Sequence, residues 1–197
     1  MNIQDLLSVA LGQQAQQVVA QQLGIDQQQA ASAIQLALPT LLSSLSHNAS
    51  KPEGADALFN ALGNHNGSSL GNLGGLAQAA LASGEGAKIL GHIFGNRQGQ
   101  VENALSQNSG LGAGQIGKLL QILAPIVMDA LGGQKQQQGF EVGGLVSMLA
   151  GAATSQKQQN PQASDMLSQL FDQNKDGNMV DDALKMGAGI LGKLFNK

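Results

Sequence analysis

The amino-acid sequence predicts an all-α protein, a compact helical bundle built from two tandem related helical repeats. Three observations carry that prediction. Apolar residues recur at helical spacing inside glutamine-rich stretches: "IDQQQAASAIQLAL" sets Ile25, Ala30, Ala33, Ile34, Ala37 and Leu38 along one side. Period-two runs of β-branched residues, which would mark half-buried strands, are missing. Two long parts of the chain also align with each other without gaps.

Composition fits a packed domain of an unusual kind. Apolar residues make up 42% of 197, enough to build a core, yet Trp and Tyr are absent and Phe numbers only 5. Packing must therefore come from Leu, Ala, Ile, Val and Met, and the 27 glycines allow helices to approach closely. Charged residues are 12% with a net charge of −3. Without basic clusters or stacking aromatics, nucleic-acid binding is not expected. With 0 cysteines, disulfides, Cys-ligated zinc and thiol catalysis are excluded.

Along the chain, "MNIQDLLSVALGQQ" has no Lys or Arg before its short apolar run, which argues against a secretory signal. No continuous apolar stretch has the length of a membrane span, since "LLQILAPIVMDAL" is interrupted by a charge. A cytoplasmic location is the expectation. The first strong helix begins at Asp26, which with Gln29 makes a capping-box pattern. Pro39 falls well inside that helix and predicts a kink or a fresh start, because proline lacks the N–H and crowds the preceding turn. The polar stretches "SHNASKPEG", "GNHNGSSLGN", "GGQKQQQG" and "TSQKQQNPQ" are expected to be loops.

The segment Gly24 to Leu45 aligns on Gly110 to Leu131, with identities at Gly24/Gly110, Gln29/Gln115, Gln35/Gln121, Pro39/Pro125 and Leu45/Leu131. A second pair follows in the same order, "GAKILGHIF" (Gly86 to Phe94) and "GAGILGKLF" (Gly187 to Phe195). The expected organisation is one helical repeat over residues 1–96 and a second over 97–197, packed as one unit. The two proline-kinked helices should form its centre.

The duplication also decides how "GLGAGQIGKLL" should be read. Gly112, Gly114 and Gly117 resemble a nucleotide-binding loop, but the partner of this stretch, "DQQQAASAI", lacks the glycines that a phosphate cradle needs. The segment before it is polar and helical, and Leu119 stands where a phosphate loop wants Ser or Thr. The stretch is expected to start a helix.

The chain from Pro125 to Gly187 is 15 residues longer than that from Pro39 to Gly86, and the longer part contains "FDQNKDGNMVDDAL". Asp172, Asn174 and Asp176 alternate ahead of Gly177, as in the first half of a calcium loop, and Asn178 can add its carbonyl. The twelfth position holds Ala183 where a bidentate Glu is wanted, leaving Asp181 and Asp182 as substitutes. The same residues also make a turn and a helix cap. Calcium bound by Asp172, Asn174, Asp176, Asn178 and Asp181 is one expectation, with a role in fixing the C-terminal segment rather than in catalysis.

No catalytic constellation emerges. His47, His65 and His92 are scattered, with no nearby acid in sequence, the first two among loop-like Asn and Ser. The tail "ALKMGAGILGKLFNK" has Lys185, Lys193 and Lys197 beside apolar residues and could lie on a membrane surface, though core packing explains its mid-chain copy.

Together "ILGHIFG", the following Gln/Asn-rich helix, "GLGAGQIGKLLQILAPIVMDALGG" and the loop "DQNKDGNMVDD" resemble the YidB-like bacterial proteins of unknown function. The resemblance implies a bacterial, all-helical protein and supplies no activity or catalytic residues. The leading expectation is a non-enzymatic structural or protein-interaction module, self-associating through small-residue helix faces.

Overall fold

A computed structural model describes residues 12–159. Among these residues the chain is helical throughout, with no strand. The order is α1 (Gln13–Leu23), α2 (Gln27–Ala49), α3 (Pro52–Ala61), two 3-10 turns (Leu62–Asn64 and Ser68–Asn72), α4 (Leu73–Ala82) and α5 (Glu85–Phe94). A further 3-10 turn (Gly95–Arg97) leads to α6 (Gln98–Ser109), α7 (Ala113–Gln138) and α8 (Val142–Gln159).

The aligned segments start alike. Gly24 and Gly110 each end the preceding helix with positive φ, 65° and 72°, a conformation that suits a residue without a β-carbon. Asp26 caps α2, its carboxylate accepting the Gln29 N–H at 2.9 Å. At α7 the reciprocal half of the box is made: the Gln115 side chain accepts the Gly112 N–H at 3.1 Å. "GLGAGQIGKLL" thus begins a helix, as predicted, and what precedes it is a helix.

Pro39 and Pro125 lie inside α2 and α7, and both are buried. Neither helix restarts at its proline, so the fresh start allowed by the sequence does not occur. Nearby hydroxyls stay within the helix: Thr40 Oγ1 donates to the Leu36 carbonyl at 2.9 Å and Ser44 Oγ to that of Thr40 at 2.8 Å. Burial of the segments around the prolines offsets the local cost, about 3 kcal/mol for an internal proline.

α7 is the central strut. It is buried almost without interruption from Ile116 to Gln134, and α1, α2, α4, α5 and α6 all pack on it. It is also the one described helix long and apolar enough to cross a membrane, but most of that surface is inside the fold. α8 lies on α2 and α3, anchored by Leu145, Leu149 and Ala152.

Three of the four expected loops are mostly helical. α2 continues to Ala49, leaving a short break before Pro52. "GGQKQQQ" forms the last turns of α7, with Gly132, Gly133 and Gln134 buried. α8 runs to Gln159 through much of "TSQKQQNPQ". The glycines there make room for a close neighbour, and the glutamines are tolerated on a helix surface. "GNHNGSSLGN" contains no α-helix: it consists of parts of the two 3-10 turns with residues 65–67 between them. His47 is correspondingly on α2 and not in a loop.

Candidate functional site

The sequence buries one acid in the apolar run "LAPIVMDALGG" of α7. Asp129 is 4% exposed, and an uncompensated carboxylate there would be very costly. The chain folds a distant loop over it. His65 Nδ1 lies 2.9 Å from Asp129 Oδ1, and the Ser69 N–H donates to Oδ2 at 3.2 Å. Both carboxylate oxygens are thereby engaged. The His65 side chain is 13% exposed, and Nε2 is the ring nitrogen that Asp129 does not use.

Glycines let the loop come this close. Gly67 has φ 78°, and a β-carbon on it would lie 3.2 Å from the Gly133 Cα. A β-carbon on Gly132 would overlap the His65 carbonyl oxygen and lie 2.7 Å from its carbon and 2.9 Å from the Leu62 oxygen. The pair Gly132–Gly133 thus forms a flat shelf beneath residues 62–67. One turn on, Lys135 Nζ donates to the Phe59 carbonyl at 2.7 Å and sits 3.6 Å from the centre of the Phe59 ring. That contact ties the end of α3 to α7, using both charge and the ring face. The assembly is a polar latch that closes the segment 59–69 onto the central helix.

An aspartate-held imidazole is also an arrangement used for proton transfer or metal ligation. Among the described residues, however, no group of three His, Cys, Asp or Glu side chains could hold a metal ion.

His92 and His47 lie apart from this latch. His92 is exposed on α5, and its carbonyl, with that of Ile93, accepts from Asn48 Nδ2 at 3.2 and 2.7 Å. His47 is half-buried, and burial, then Arg97, then Lys51 lower its pKa below the usual 6.5. The proposed calcium ligands Asp172, Asn174, Asp176, Asn178 and Asp181 lie outside the described residues, as does the tail. Gly114 has open space around the position of its β-carbon, while one on Gly117 would lie 3.3 Å from the Glu102 carboxylate. Gly112 is therefore the cap before α7, while Gly114 and Gly117 sit within the helix, Gly117 facing α6.

Sequence reasoning missed Asp129 as the partner of His65, because 64 positions separate them. The signal was the charge inside an otherwise apolar run, which demands a partner wherever the fold can supply one.

A family model described as a bacterial protein of unknown function, DUF937, matches residues 5–136, which include α2, the latch and nearly all of α7. Neither the curated proteins nor the solved structures give a match.

Proposed function

Because the chain belongs to the DUF937 family of bacterial proteins of unknown function, its role must be read from its own residues, and we propose a non-enzymatic helical interaction module that self-associates. The observation that carries this reading is the outer face of α8. Gly143, Ser147 and Gly151 recur every four residues and are all exposed, with no atom near the β-positions of the two glycines. Ser147 Oγ is turned back onto the Gly143 carbonyl at 3.0 Å, which leaves a face of low relief. The opposite face, with Leu145, Leu149 and Ala152, is held in the core, so the outer one faces away from it. A second helix could approach such a face closely, gaining dispersion contacts along its length. Use of the His65–Asp129 pair as a latch also favours a structural role for this buried pair.

Light scattering tests this reading. The mass should rise above 20.1 kDa with concentration, and Gly151→Lys should return it to the monomer value. A monomeric mass over a wide concentration range overturns the proposal. A second reading, a calcium-regulated module, is favoured by the spacing of Asp172, Asn174, Asp176 and Gly177. Titration calorimetry with calcium decides it: absence of heat, with a melting temperature indifferent to chelator, removes it.

A further inference from the structure

α5 shows how the segment Gly86–Phe94 is used. Its buried residues are Gly86, Leu90, Ile93 and Phe94, and it packs on α7. A β-carbon on Gly86 would overlap the Gln121 carbonyl oxygen and lie 2.9 Å from the Gln121 Cα, so glycine is required at that crossing. The related segment Gly187–Phe195 keeps this set: Gly187, Leu191, Leu194 and Phe195. Apart from the Ile93/Leu194 exchange, the differences fall at Lys88/Gly189 and His92/Lys193, and both Lys88 and His92 are exposed on α5. What is retained is the contact face.

The matching receptor is also present. In the ungapped alignment Gln121 and Ile122 of α7 correspond to Gln35 and Leu36 of α2. Gln121 is half-buried and Ile122 fully buried, whereas Gln35 is exposed and Leu36 only half-buried. Asp129 is buried and its counterpart Ser43 is half-buried. At these three positions α2 is more open than α7. Packing between the halves already runs in both directions, since α4 and α5 lie on α7 while α8 lies on α2.

We propose that the segment Gly187–Phe195 docks on α2 around Gln35 and Leu36, with Gly187 at the Gln35 backbone, as Gly86–Phe94 docks on α7. The residues between Gln159 and Gly187, at about 3.3 Å each when extended, impose no limit on reach. The inference does not rest on self-association through α8. It makes α2 a seat for the chain's own C-terminal segment.

Photo-cross-linking of the full chain tests it. Gln35 is replaced by p-benzoylphenylalanine, and tryptic peptides are identified after irradiation of a mixture of isotopically light and heavy protein. The expected product joins position 35 to a peptide between Met186 and Lys197 of the same chain. Gly187→Leu should abolish that product, and Gly189→Leu, at the position matching exposed Lys88, should leave it. Absence of the product, a cross-link to another segment or to a second copy, or equal yields from the two variants would overturn the proposal.

Discussion

Gly132→Ala puts one methyl group where the latch has no room. The new carbon would lie 2.7 Å from the His65 carbonyl carbon, about 0.7 Å inside the 3.4 Å at which ordinary contact begins, and would overlap the oxygen. The obstructing atoms are backbone, so residues 62–67 must lift away from α7. His65 Nδ1 and the Ser69 N–H then leave Asp129, losing bonds to a charged group worth about 1.5–3 kcal/mol. Strain from the extra carbon adds about 1–3 kcal/mol. Alanine returns roughly 0.5–1 kcal/mol over glycine within a helix. The net loss is about 2–5 kcal/mol, a fall in Tm on the order of 10 °C for a chain of this size. With neither Trp nor Tyr in the sequence, the assay is urea unfolding followed by far-UV circular dichroism. A variant as stable as the parent would show that the loop does not rest on Gly132, and the account of the latch would be wrong.

Gly114→Ala should have the opposite sign: nothing lies near its β-position, so the helix gains about 0.5–1 kcal/mol, and any loss of stability contradicts the reading of "GAGQIG". Asp129→Ala and His65→Ala should each cost about 1.5–3 kcal/mol, and their double variant less than the sum because they share one bond; additive losses would refute the pairing. Since burial, Arg97 and Lys51 lower the His47 pKa, the fold prefers neutral His47 and its stability is complete above 6.5. Below 6.5 the unfolded chain takes up a proton that the folded chain resists, so Tm should fall less steeply with acid in His47→Gln than in the parent. Parallel Tm profiles for the two proteins would contradict that cause.

Much of the fold was legible because helices are local. Apolar spacing placed α2, the Asp26 cap marked its start, and the comparison of "GAGQIG" with "DQQQAASAI" identified the beginning of α7. Reading glycine and glutamine as punctuation failed at "GGQKQQQG". Local propensity makes Gly132 and Gly133 helix breakers, whereas packing requires them where the loop lies flat on α7. The His65–Asp129 latch was illegible for a related reason: its partners meet only when α7 and the loop after α3 are both in place.

By itself, the sequence determined that this chain is helical, where its principal helices begin and that its core is made of small aliphatic side chains, because each of these follows from neighbours within a few turns. Only the tertiary structure decided which buried acid meets which histidine and which glycines are contact points. Those choices depend on surfaces brought together from distant parts of the chain, where a single β-carbon separates close contact from overlap.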